Sequence, residues 1–396
     1  MTPSRRLLAI AGGVGALATG TAAVIAVAAQ QRRHSEAYSA VGRHTASALT
    51  RSTPVGGGGL TRISLSEDPY VDEPLGELRA DRTSTVAAED GTPLSVEEID
   101  PEDGGEPELT VVGVHGFALS RRCWHFQRRD LASLRLPRVR QVYYDHRGHG
   151  LSGAASTETS TIEQLARDLD CVLRSVVPEG PVVLMGHSMG GMVIMELAAE
   201  FPEIFEDRVC GVAFIATAAG EVGARGLPRS LLSKYNPLTR AAGGLAGWQP
   251  GLVEFVRAAG GQLTRQAVRR LAFGSRDVAP RLVDFMLEML EVTPVRGLVN
   301  FVDTLGSHNR YAALAGLKHA EVLVIGGDSD RFTPFSHAER IAAELPDAEL
   351  VRVRGAGHMV QLEQPELVNS HLIDLLQRCS DADGVTSSRR TWWWQR

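Results

Sequence analysis

Cysteine is scarce in this chain and carries no pattern. The four residues Cys123, Cys171, Cys210 and Cys379 show no C-x-x-C spacing, so no zinc or redox motif follows from them. Each falls in a segment with helical or strand patterning, where cysteine serves as a small buried apolar residue rather than half of a disulfide. A basic excess is also missing. The net charge is -6, and no basic stripe interleaved with aromatics is present, which removes the footprint of a nucleic-acid binder. The acidic run Glu97, Glu98, Asp100, Glu102, Asp103, Glu106 and Glu108 reads as a solvated hairpin and loop rather than a metal site. What remains is ordinary globular composition, 43% hydrophobic and 22% charged over 396 residues. That length suits one large α/β domain with an inserted subdomain, or two average domains.

The N-terminus stands apart from the fold. Leu7 to Ala29 is an uncharged stretch bracketed by Arg5, Arg6, Arg32 and Arg33. As a helix it would reach about 34 Å, enough for a bilayer core. Three readings compete: a membrane anchor, a signal peptide cut at Ala26-Val27-Ala28, and a plain extension. The expectation is a cell-membrane protein with a single N-terminal anchor, with secretion after cleavage as the alternative. Residues 34–78, with the Gly56 to Gly59 run, then read as a flexible tether.

Beyond the tether, strands and helices alternate. Thr83 to Ala88 and Leu94 to Ile99 form an opening hairpin. The continuous apolar runs Leu109 to His115, Val139 to Tyr144, Pro181 to Met185 and Val209 to Ala216 have the profile of buried strands. Glu321 to Ile325 and Glu349 to Val353 follow the same profile. Helical spacing marks Thr161 to Val177, the stretch after Ser188, His337 to Leu345 and Leu362 to Arg378. This order predicts a mostly parallel sheet covered by helices. The gap from Ala218 to Ser307 is too long for a bare loop and holds helix-period stretches at Leu252 to Ala258 and Leu282 to Leu290, so it reads as a helical cap. The domain plan is therefore 1–33 anchor or signal, 34–78 tether, 79–217 and 308–379 core, 218–307 cap and 380–396 flexible tail, the last ending in Trp392 to Trp394.

Chemistry concentrates at strand ends. Pro181 to Phe201 reads as strand, then Gly186-His187-Ser188-Met189-Gly190, then helix. A serine on so sharp a turn needs small neighbours, which Gly186 and Gly190 supply. Its hydroxyl needs a base and a group to orient that base. His358 lies in the glycine-flanked loop after Glu349 to Val353, and Asp330 in the turn after Glu321 to Ile325. Asp328 shares that turn, but Pro334 four residues beyond Asp330 favours Asp330 as the acid. Backbone donors for an oxyanion are expected at Met189, after the nucleophile, and at Phe117, after His115-Gly116.

The segments HGF, DHRGHGLS, GHSMGG, GDSDRFTP and GAGHMV stand in an order that resembles the α/β-hydrolase superfamily, in its capped form, from about Arg79 to Arg378. The resemblance implies an eight-stranded sheet, Ser188, Asp330 and His358 as triad, and Phe117 and Met189 as oxyanion donors. It further implies that His115 and Gly116 support the oxyanion loop and that Asp145, His146, Arg147 and His149 shape the loop beside it, not a metal pair. Relatives that attack carbon through an elbow aspartate are excluded by Ser188. The expected activity is cleavage of a carboxylic ester, lipid-like or small, through an acyl-enzyme, with no cofactor and no metal. Perhydrolysis, carbon-carbon hydrolysis and acyl transfer are the alternatives, perhydrolysis because His115 to Phe117 with Trp124 has some likeness to cofactor-free haloperoxidases. A non-catalytic binding scaffold is disfavoured because no triad residue is missing. The expected partner is a small acyl substrate, with membrane association through Leu7 to Ala29.

Overall fold

The computed structural model describes residues 68–222, 265–293 and 295–393. Eight strands form one sheet in the order β1-β2-β4-β3-β5-β6-β7-β8. These are β1 (Arg82–Ala87), β2 (Pro93–Ile99), β3 (Leu109–Val114), β4 (Val139–Tyr144), β5 (Val182–His187), β6 (Val209–Ile215), β7 (Glu321–Gly327) and β8 (Glu349–Val353). The hairpin β1–β2 and the β2–β4 pair are antiparallel; every other pair is parallel.

The central strands read as unbroken apolar runs because both faces are covered. Successive side chains point to opposite faces, and the two core layers follow that rule. Val182 and Leu184 of β5 with Val212 and Phe214 of β6 join one layer, while Val183, Met185, Ala213 and Ile215 join the other. The first layer is covered by α2 (Ile162–Val176) and α3 (Met189–Glu200), the second by α1 (His125–Ala132) and α9 (Pro365–Trp393). Thr161 starts α2 by accepting the Gln164 N–H at 3.1 Å, the side-chain cap that an exposed helix start requires. Between α3 and β6 lies the short α4 (Pro202–Asp207).

Between β6 and β7 the described residues contain a helical stretch at 265–272, α5 (Pro280–Val292) and α6 (Val295–Ser307). The stretch Leu252 to Ala258 lies outside the described residues. In α5, Leu282, Val283, Phe285 and Met289 are buried against the second core layer, with Met286 partly buried beside them. After β7 come α7 (Ser336–Glu344), then β8 and the short α8 (Val360–Glu363) that leads into α9.

Several expectations need correction. The membrane anchor and cell-membrane localisation are withdrawn: among the described residues no helix is long and apolar enough to cross a membrane, and Leu7 to Ala29, the run that suggested it, lies outside them. Its alanine and glycine content made it a weak apolar segment from the start. The tether is shorter than 34–78, because residues 68–78 are docked. Leu75 is fully buried, His125 Nδ1 accepts the Gly76 N–H at 3.0 Å and Asp68 Oδ2 accepts the Arg281 N–H of α5 at 2.7 Å. Finally, α9 does not stop near Arg378 but continues to Trp393, so the expected tail is helical over 380–393. That stretch has no proline and a single glycine, Gly384, and such a sequence gives a helix no stop signal.

The acidic run is also less solvated than expected. Glu97 pairs with Arg121 and Arg128, and Glu98 with Arg82 and Arg140. All four cysteines are free thiols.

Candidate active site

Ser188 sits between β5 and α3 with φ 52° and ψ -118°, a conformation that costs an L-residue about 1–2 kcal/mol. The surroundings hold it there. Its N–H donates to Ile215 O at 3.0 Å, and its carbonyl accepts from Thr217 Oγ1 at 2.6 Å. The glycines make room: a Cβ on Gly190 would lie 2.0 Å from Val114 O, and one on Gly186 would lie 2.7 Å from Gly191 N. Gly191, which the sequence reading passed over, is equally constrained, since its Cβ would meet Thr217 Oγ1 at 2.6 Å.

His358 reaches Ser188 from the loop after β8. Its Nε2 is 2.9 Å from Ser188 Oγ, and its Nδ1 is 2.8 Å from Asp330 Oδ2. With Nδ1–H donating to the carboxylate, Nε2 is left to accept from the serine. Asp330 Oδ1 accepts the N–H groups of Phe332 and Thr333 at 2.8 and 3.0 Å. Burial alone would raise this carboxyl, but His358 and those two N–H groups outweigh it and hold the pKa below its ordinary value. Asp328 turns elsewhere, its Oδ1 accepting the Gly355 N–H at 2.8 Å.

The His358 loop is tied on every side. Ser329 N–H donates to Ala356 O at 3.0 Å and Met359 N–H to Ala272 O at 2.9 Å. His187 Nε2–H donates to His358 O at 2.9 Å. His187 is fully buried; burial first, then the neighbouring His358, pushes its pKa down to about 3, so it stays neutral beside a ring that must gain and lose a proton.

The loop after β3 carries Phe117 beside the elbow. A Cβ on Gly116 would lie 3.1 Å from Ser188 Cβ, so only glycine lets that backbone approach the serine. His115 accepts the His146 N–H through Nε2 at 3.0 Å and donates from Nδ1 to Gly116 O at 2.8 Å. His149 Nε2 accepts the Ala118 N–H at 3.1 Å, steadying a residue at φ 61°. Burial pushes His149 down to about 4 and, with the nearby His149, His146 to about 3. His146 Nε2–H donates to His115 O at 3.0 Å, so these rings are committed to backbone groups rather than to a metal. Arg147 and Asp168 form a fully buried ion pair, Nε to Oδ2 at 2.6 Å, that fixes the DHRGHG turn to α2. Asp145 accepts the Arg121 N–H at 2.8 Å. Among the described residues the N–H groups of Phe117 and Met189 have no partner.

Hydrogen bonds join Ser188, His358 and Asp330 at the carboxyl ends of β5, β8 and β7, and Gly116, after β3, lies against the serine. Two more side chains touch the relay: His187 at His358 O, and Thr333, whose Oγ1 donates to Asp330 Oδ2 at 2.9 Å. His187 lies inside the elbow string and Thr333 inside DRFTP, so both were in view without a role. Among the described residues, no group of three or more His, Cys, Asp or Glu is arranged to hold a metal ion.

Comparison with known proteins follows the same lines. Residues 111–371 match the model of the Alpha/beta hydrolase family. A curated relative is the dihydrolipoyllysine-residue acetyltransferase component of an acetoin cleaving system from Pseudomonas putida, 28% identical over 280 residues, 70% of this chain and 66% of that protein. The chain thus spans just under two thirds of that relative. Another is the 2-hydroxy-6-oxononadienedioate/2-hydroxy-6-oxononatrienedioate hydrolase of Escherichia coli, 24% identical over 284 residues, 70% of this chain and 90% of that protein. Among solved structures, a thermophilic esterase from Thermogutta terrifontis superposes with a TM-score of 0.59 at 24% identity, covering 76% of this chain and 99% of the other. The enol-lactonase from Burkholderia xenovorans gives 0.57 at 22% identity, covering 74% and 99%. At these identities the two structures attest the fold.

Proposed function

The chain belongs to the α/β-hydrolase family, and from that premise we propose that it is a serine hydrolase cleaving a carboxylic ester through an acyl-enzyme. The observation that carries this reading is the continuous relay Ser188 Oγ to His358 Nε2 at 2.9 Å and His358 Nδ1 to Asp330 Oδ2 at 2.8 Å.

Ser188 Oγ gives its proton to His358 Nε2 and attacks the ester carbonyl carbon. The carbonyl oxygen becomes an oxyanion facing the N–H groups of Phe117 and Met189, each worth about 10² to 10³ in rate. Collapse of the tetrahedral intermediate breaks the bond to the alcohol, which leaves with the proton from the imidazolium. Water, deprotonated by His358, then attacks the acyl group, and Ser188 regains its proton as the acid departs. Asp330 stays ionised throughout and keeps the imidazole in the tautomer the first step needs.

A second reading is carbon-carbon hydrolysis, favoured by the relatives named for 2-hydroxy-6-oxononadienedioate. The same serine would then act on a ketone carbonyl and the leaving group would be a carbanion. The discriminating experiment is parallel assay of p-nitrophenyl esters of increasing acyl length and of a 2-hydroxy-6-oxo dienoate. Ester turnover that vanishes in Ser188→Ala is expected. Turnover of the dienoate alone would overturn the ester reading in favour of the second.

A further inference from the structure

The insertion between β6 and β7 meets the backbone on both sides of His358, directly at Met359 and through Glu363 of α8 at Gly357. On one side, Met359 N–H donates to Ala272 O at 2.9 Å. On the other, Gly357 N–H donates to Glu363 Oε2 at 2.8 Å. The same carboxylate accepts the Gly274 N–H at 3.1 and 3.0 Å through its two oxygens and the Ser275 N–H at 2.6 Å. Three backbone donors from two segments thus converge on one anionic group, the arrangement in which hydrogen bonds to a carboxylate are strong.

The two segments run backbone against backbone. A Cβ on Gly274 would lie 2.2 Å from Gly355 O and 2.6 Å from Gly357 N, while one on Gly357 would lie 2.5 Å from Gly274 N. No side chain fits between them to absorb a displacement. Arg331, next to Asp330, adds a bond to Phe273 O at 3.3 Å. Movement of the 272–275 turn therefore pulls on Gly357 and Met359, the two neighbours of His358.

We propose that Glu363 is a positioning residue that couples the seat of the inserted helices to the reach of His358 toward Ser188. The inference rests on the serine-hydrolase reading and adds a device to it. A base works only within hydrogen-bond reach of its proton. Displacing the 272–275 turn as substrate enters or product leaves would then loosen the relay, and reseating it would restore it.

Glu363→Gln replaces one acceptor oxygen with an N–H₂ group facing a backbone donor. With p-nitrophenyl butyrate, its kcat should fall about tenfold or more while KM changes little, since a misplacement of about 1 Å can cost up to 10² in rate. Fluorophosphonate labelling at Ser188 should slow in parallel. Amide exchange in the full chain should quicken together at 272–275 and 355–359. Gly274→Ala, which leaves Glu363 in place but drives a Cβ into the seam, should give the same joint signature. Wild-type kcat in both variants despite faster exchange would overturn the proposal, leaving Glu363 a purely structural residue; so would faster exchange in one segment only. Absence of Ser188 labelling in wild type would sink the serine-hydrolase reading instead, and the exchange pattern would still decide the coupling.

Discussion

Asp330 carries a burden at the residue scale that its neighbours reveal. It accepts bonds from His358 and from two backbone N–H groups while buried from water, and only as a carboxylate can it accept all of them. Asp330→Asn should keep the fold and lower kcat by about 10⁴, the scale set by tautomer inversion in a serine relay. Steady-state kinetics with an ester, beside a circular dichroism spectrum, would check it; a loss under about tenfold would contradict the orienting role. The choice of Asp330 over Asp328 was legible from Pro334 in the sequence, since the turn must leave the strand end in time for the proline. The role of His187 was not, because it depends on a carbonyl 171 positions away in the chain.

At the scale of elements, the elbow works because two glycines let a helix begin against a strand and a loop. Gly190→Ala puts a Cβ 2.0 Å from Val114 O, backbone that has no room to move within β3. Overpacking of this kind costs about 1–3 kcal/mol or more, and it should abolish esterase activity together with stability. Gly180 offers the control: φ is 84° but a Cβ would meet nothing within 4 Å, so Gly180→Ala should cost only the backbone strain of about 1–2 kcal/mol and leave activity intact. Urea denaturation and an ester assay of both variants test this, and full activity in Gly190→Ala or lost activity in Gly180→Ala would contradict the packing argument. Most elements were legible because buried parallel strands and amphipathic helices write distinct periods. The ends were less so. Residues 68–78 looked like tether because their bonds go to α1 and α5, which local composition does not encode, and α9 was cut short because polar residues at its end were taken for a loop.

For the whole molecule, the buried histidines set an acid limit on stability. His146, His187 and His308 are pushed down to about 3 and His149 to about 4, burial being the leading cause in each. Unfolding returns each ring to an ordinary imidazole that takes a proton near pH 6.5. Between pH 6.5 and about 4 the unfolded chain therefore binds more protons than the folded one, and stability falls as pH is lowered. Each such ring contributes a slope of about 1.4 kcal/mol per pH unit. Urea midpoints should decline steeply from pH 7 to pH 5; a flat profile would contradict the burial of these rings. The fold itself was legible at this scale, since alternation of elements and the order of strand-end motifs fixed a parallel sheet with its site at the carboxyl edge. The placement of the inserted helices against the His358 loop was not, because it is made by glycines and backbone groups that leave no periodic trace.

The central claim is that Ser188 is a nucleophile activated by His358 and Asp330. Intact-mass analysis after treatment with a fluorophosphonate tests it most directly, on wild type and on Ser188→Ala. The account predicts one stoichiometric adduct, mapped to Ser188 in the wild type and absent from the variant. A folded wild-type protein without an adduct, or an adduct that persists in Ser188→Ala, would contradict it.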